Sequence, residues 1–154
     1  MMRTMKKSAF AVLVLVALVG CKKDPTIAGK WKTSMDQGGA KGDVIADFGD
    51  DGKVTMDVTM SPQPNMTLGM KFMGTWTKED ATTYDMKLSD VTLDDSKLSG
   101  PAKTLVSQGF ASQKAQIIEQ ANKDSKMKIV WDGNDKFSAA RGTKGETMVF
   151  ERVK

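Results

Sequence analysis

Val44-Ile45-Ala46-Asp47-Phe48-Gly49-Asp50-Asp51-Gly52-Lys53-Val54-Thr55-Met56-Asp57-Val58-Thr59-Met60 is the stretch that decides the fold. Val44, Ala46 and Phe48 stand at every second position, Asp50-Asp51-Gly52 supplies turn chemistry, and Val54, Met56, Val58 and Met60 resume the alternation. A period of two places each set on one face of a strand, and a glycine-bearing turn between two such runs reads as a β-hairpin.

The same rhythm extends in both directions. Upstream, Ile27, Gly29, Trp31, Thr33 and Met35 share one face, and the glycine-rich Gln37 to Gly42 reads as the connecting loop. Downstream, Ser61 to Asn65 reads as a loop because Pro62 and Pro64 have no N–H for a ladder. Met66, Leu68, Met70, Phe72, Gly74 and Trp76 form the next inward row, and Tyr84, Met86 and Leu88 follow a turn at Lys78 to Ala81. The rhythm then changes at Gly100-Pro101. From Ala102 to Asn122 the apolar Ala102, Val106, Phe110, Ile117 and Ala121 recur at intervals that place them on one helical stripe, predicting an amphipathic helix over about 101–122. Alternation returns with Met127, Ile129 and Trp131, with Phe137 and Ala139 after a turn at Asp132 to Asp135, and with Met148, Phe150 and Arg152 after Gly142 to Gly145. The expected fold is mainly β, an antiparallel up-and-down barrel or strongly curved sheet of about eight strands with the helix inserted between strands five and six.

The first residues are of another kind. Arg3, Lys6 and Lys7 precede an apolar run from Ala9 to Val19, too short to span a bilayer comfortably, and Leu18-Val19-Gly20-Cys21 closes it. This resembles the lipobox of bacterial lipoproteins, in which the signal is removed before a cysteine that takes a diacylglycerol and is then acylated on its new amino group. The resemblance implies a signal peptide over 1–20, a lipidated Cys21 with a short tether over 21–26, and a single β domain over 27–154. It also implies a chain held by lipid on a bacterial cell membrane or outer membrane, facing the periplasm or the exterior. Lys22 stands where an aspartate would mark inner-membrane retention under the enterobacterial sorting rule. The residues between Cys21 and the first strand reach roughly 15 to 18 Å when extended, so the domain is expected close to the bilayer.

Composition excludes several functions. The 23 basic and 19 acidic residues become nearly balanced once Arg3, Lys6 and Lys7 leave with the signal, and the remaining lysines are interleaved with aspartates. A nucleic-acid partner therefore has no basic stripe to bind. The chain has one cysteine and no histidine. There is no internal disulfide, and the commonest general base, the commonest transition-metal ligand and the histidine-dependent nucleophile arrangements are all missing. Neither an enzyme nor a cofactor is expected.

Gly29-Lys30-Trp31 after Ile27, opening a hairpin meander, resembles the Gly-x-Trp start of lipocalins and of bacterial lipocalin-like lipoproteins. Phe48 with Asp51-Gly52-Lys53, and Gly74-Thr75-Trp76, are similar to recurrent features of those bacterial domains. The resemblance covers Ile27 to about Leu93. It departs from true lipocalins in the position of the helix and in lacking a Thr-Asp-Tyr turn motif. It implies a basic residue of the last strand packed across the Gly-x-Trp indole, and Arg152, which shares the inward parity of Met148 and Phe150, is the residue placed to stack on Trp31.

Methionine is the compositional oddity, with 12 in the chain. Thioethers bind Cu(I), but Met56, Met60, Met66, Met70 and Met86 share the parity of valine, leucine and phenylalanine, so core packing or an adaptable apolar pocket is the reading and no metal site is assigned. Asp132-Gly133-Asn134-Asp135 lacks the alternating ligands and distant glutamate of a calcium loop and reads as a hairpin turn. The expected ligand is a small apolar molecule or lipid held by the inward surface of Trp31, Phe48, Met56, Met70, Phe72, Trp76 and Trp131. The alternative is a solidly packed barrel serving as a structural or interaction lipoprotein, with an envelope protein as partner. The helix fits both readings, as a lid, a docking surface or a plug, because each needs the same apolar stripe.

Overall fold

The computed structural model describes residues 24–37, 40–63, 66–142 and 147–154. The expected lipobox and lipidation site at Cys21 lie outside these residues, as do parts of the three connections at 38–39, 64–65 and 143–146. The chain folds as a closed antiparallel β-barrel of eight strands in sequence order. These are β1 (Gly29–Gln37), β2 (Ala40–Phe48), β3 (Lys53–Gln63), β4 (Met66–Lys78), β5 (Thr83–Asp94), β6 (Lys126–Trp131), β7 (Lys136–Arg141) and β8 (Thr147–Arg152). Helix α1 (Gly100–Lys123) is inserted between β5 and β6, with Pro101 in its first turn. The barrel closes where β8 returns to β1 through Trp31 opposite Arg152 and Lys32 opposite Glu151.

Two of the expected loops are shorter than their composition suggests. β1 runs to Gln37 and β2 begins at Ala40, opposite it, so Gly42 is a strand residue between Met35 and Met60. Strand β3 continues through Ser61, Pro62 and Gln63, with Ser61 still opposite Lys41. Pro62 acts locally: the β3–β4 register shifts between Met60 and Gln63, as expected where a proline has no N–H to donate.

The strands are unequal, and this shapes the molecule. β3, β4 and β5 have 11, 13 and 12 residues, whereas β6, β7 and β8 have 6 each. β6 starts opposite Asp85, so it accompanies only the first residues of β5. All eight strands surround the end where the Gly49–Lys53, Glu79–Thr83 and Asp132–Lys136 turns gather; this is the closed end. The other, open end is walled by β1–β5, with α1 packed along β5.

Beyond β6, α1 satisfies the edge of β5 in place of a strand. Asn122 accepts from the Leu88 N–H through Oδ1 at 2.8 Å and donates to the Leu88 carbonyl through Nδ2 at 2.9 Å. At the same level β5 carries a bulge: Met73 faces Asp90 while Gly74 faces Leu88, which leaves Ser89 as the extra residue. The inward row of β5 consequently steps from Tyr84, Met86 and Leu88 to Val91 and Leu93. Gly74 permits this close crossing, since a Cβ there would lie 2.1 Å from the Lys87 carbonyl oxygen.

Candidate functional site

At the closed end the interior is filled. Ile27, Trp31, Ala46, Phe48, Val54, Tyr84, Met86, Met127, Ile129, Phe137, Ala139 and Phe150 form one buried cluster, with Met56, Trp76, Trp131 and Met148 packed against it. Phe137 sits at its centre, edge-on to Trp31 at 4.6 Å and to Trp131 at 5.2 Å, and stacked on Phe150 at 4.9 Å. Phe48, Trp76 and Tyr84 form a second aromatic chain with spacings of 6.1 and 6.0 Å. Two of the three indoles in this layer satisfy their N–H on nearby backbone: Trp31 donates to the Ile27 carbonyl at 2.6 Å and Trp76 to the Gly49 carbonyl at 3.0 Å. Burial also pushes the Tyr84 hydroxyl above the usual phenol range.

Arg152 covers this layer. Its guanidinium carbon lies 4.1 Å from the centroid of the Trp31 ring, and its nitrogens donate to the carbonyls of Ala28 at 3.1 Å and Thr26 at 3.2 Å. It reaches the turn at Asn134 and pairs with Asp135 at 3.3 Å. One residue therefore joins the segment entering β1, the first strand, the last strand and the β6–β7 turn.

Of the seven residues expected to line a ligand site, five belong to this packed layer. Trp31 and Phe48 are core, and Met56, Trp76 and Trp131 rest on it. Met70 and Phe72 stand apart, half-buried in the wall of the open end. The structure thus divides the expected site in two. Climbing from the closed end, the row of Thr33, Val44 and Val58 is still buried, while Met35, Met60, Leu68, Met70, Phe72 and Leu93 are half-buried on the same inward parity. A cleft of about 960 Å³ opens where β1 and β8 cease to pair, and its lining includes Thr33, Met35, Val44 and Met148. A second cleft of about 690 Å³ lies between the C-terminal half of α1 and Arg141.

α1 buries none of its residues fully, but its stripe of Val106, Phe110, Ile117, Ile118 and Ala121 is half-buried. Polar ties hold it. Lys114 meets Asp90 at 2.6 Å, while Lys103 at 3.3 Å and the Ser107 hydroxyl at 2.7 Å meet Asp95. These contacts hold both carboxyls below their ordinary range: Asp90 through the Lys114 hydrogen bond first, Asp95 through Ser107 first. At the other end Arg141 donates to the carbonyls of Ala121 and Asp124, a cation on a helix C-terminus. Burial lowers the pKa of Arg141, and the Asp124 carboxylate opposes that effect.

Asn122 and Arg141 are not singled out by pattern. Arg141 had left a trace, since it shares the inward parity of Phe137 and Ala139 and a charge on an apolar face needs a partner. Asn122 sits beside the apolar stripe at the helix end, and that position alone says nothing of a strand edge. Among the described residues no cluster of three or more carboxylate, cysteine or histidine side chains could hold a metal ion, and no helix is long and apolar enough to cross a membrane. Comparison with protein-family models finds no match, and comparison with curated proteins finds none.

Proposed function

We propose that this chain is a lipid-anchored envelope lipoprotein, tethered at Cys21, whose lipocalin-like barrel binds a small apolar molecule or lipid in its open half without catalysing a reaction. The observation that carries the reading is the half-buried inward surface of Met35, Met60, Leu68, Met70, Phe72 and Leu93 above a buried floor of Thr33, Val44 and Val58. Concave apolar surface with flexible, polarizable side chains conforms to ligands of varied shape. Trp31, Phe48, Met56, Trp76 and Trp131 then serve as the rigid base of the site, and Met70 and Phe72 as its contact surface. The tether enters beside Arg152 at the closed end. On this reading the mouth opens on the side away from the anchor, suited to a ligand that arrives through the aqueous compartment.

Native mass spectrometry of the protein, purified gently from cells that offer it their own lipids and metabolites, tests the reading. A reproducible apolar adduct is expected, lost in Met70→Lys while the circular dichroism spectrum is retained. A bare mass across several preparations of folded protein overturns it, and favours a structural barrel whose helix or loops contact an envelope protein.

A further inference from the structure

The open rim carries a second feature, the convergence of thioether sulfurs, whose donor chemistry the apolar-ligand reading does not use. On three neighbouring strands Met35, Gly42 and Met60 form one cross-strand row. Gly42 is buried, and a Cβ on it would lie 2.8 Å from the Thr59 carbonyl oxygen, so the chain has no room for a side chain there. The space above the glycine is taken from both sides: the same Cβ position is 3.2 Å from Met35 Cγ and 3.3 Å from Met60 Cγ. Two thioether arms therefore converge over one backbone gap. The β1–β8 register, Trp31 opposite Arg152 and Lys32 opposite Glu151, would bring Met148 opposite Met35 if it continued. The strands separate instead, and Met35 and Met148 line the same cleft.

We propose that Met35, Met60 and Met148 form a thioether site for a soft monovalent cation, with Cu(I) as the ligand. Thioether sulfur is a soft, neutral donor that selects Cu(I) over hard divalent ions and needs no deprotonation. All three methionines are half-buried, which leaves their sulfurs within reach of a solvated ion. The cleft is also negative: Asp36, Asp43 and Glu151 line it against a single ammonium, Lys32. A low-dielectric wall with that charge balance concentrates cations. Gap filling accounts for one methionine over Gly42, but not for a second arm in the same gap and a third across an open cleft. The proposal shares Met35 and Met60 with the apolar-ligand surface but rests on their donor chemistry and on the charge of the cleft, not on an apolar cavity.

The test is an anaerobic titration of the full chain with Cu(I) in competition with a chromophoric chelator, repeated with redox-inert Ag(I) while the methionine ε-methyl NMR signals are followed. One ion per chain is expected, shifting the methyls of Met35, Met60 and Met148. Met35→Leu and Met60→Leu should each weaken binding by about tenfold or more, as losses around metal sites do. Met66→Leu and Met73→Leu, half-buried methionines outside the row, should bind as the parent does. The two proposals fail separately because they are read differently: the thioether site by ion stoichiometry and methionine methyl shifts, the apolar site by the adduct mass of the parent protein. Uniform shifts of every exposed methionine, unchanged affinity in Met35→Leu and Met60→Leu, or no binding each overturn the site.

Discussion

Trp31 and Met35 lie on one strand with the same inward parity, yet Trp31 is 0% exposed and Met35 is half-buried. The difference lies in what stands opposite. At the level of Trp31 all eight strands are present, and Phe137, Trp131 and Arg152 cover the indole. At the level of Met35 β8 no longer pairs with β1, β6 has accompanied only the first residues of β5, and α1 packs only along β5. Alternation decides which way a side chain faces, and the lengths of distant strands decide whether anything meets it. The closed end is thus a scaffold, and the open end is the surface that the scaffold holds out.

The largest expected effect separates these ends directly. Trp31→Ala removes the partner of Phe137 and Arg152 and frees the Ile27 carbonyl, and should cost about 3–5 kcal/mol in urea unfolding. Met70→Ala, in the half-buried wall, should cost less than about 2 kcal/mol because the site is already partly hydrated. Equal losses would break the division into scaffold and surface. Gly74→Ala comes next: its Cβ would meet backbone at 2.1 Å, and moving β5 away should cost about 1–3 kcal/mol or more. Its effect should fall on both ends, because Gly74 and the Ser89 bulge mark the boundary between them.

How much of this was legible follows the same boundary. The alternation around Asp50-Asp51-Gly52 and the stripe from Val106 to Ala121 are local signals, and they were enough to place eight strands and the helix. The juxtaposition of Trp31 with Arg152 was reached through a family likeness and not through spacing. The division of the candidate surface was not legible, because Trp31 and Met70 look alike as apolar residues on an inward parity. Their difference depends on how far β6 accompanies β5, a contact between residues more than forty apart in the chain. The Ser89 bulge was hidden for a related reason: one extra residue in a strand shows only against its partner's register.

A smaller effect tests how α1 completes the wall. Asn122→Ala leaves the Leu88 N–H and carbonyl without their partners and should cost about 1–3 kcal/mol. Hydrogen exchange sharpens the comparison beyond the stability value. The Leu88 amide should lose protection strongly, while the Trp31 and Ile129 amides at the closed end keep theirs up to the global limit. If all three amides lose protection together, α1 is part of the scaffold and the molecule has one cooperative body, not two.

The smallest effect concerns the polar ties of α1 and is read against pH. Asp90 and Asp95 have their folded pKa values held below the ordinary 3.8, by Lys114 and by Ser107 respectively as the leading cause. A depressed folded value means that the docked helix prefers the charged carboxyl. That preference is fully present above the unfolded value and is lost as pH falls through the folded ones. The ties should therefore be constant from neutral pH down to about 5 and fade below 3.8. Both carboxyls are partly exposed, so added salt should weaken the ties at every pH. Exchange protection along α1 and the edge of β5 should fall on acidification before the tryptophan fluorescence of the closed end changes, and Lys114→Ala should remove the Asp90 share of that pH dependence. Loss of closed-end packing first, or simultaneous loss, would mean that acid acts on the scaffold itself and that the helix contacts do not set the order in which the two ends open.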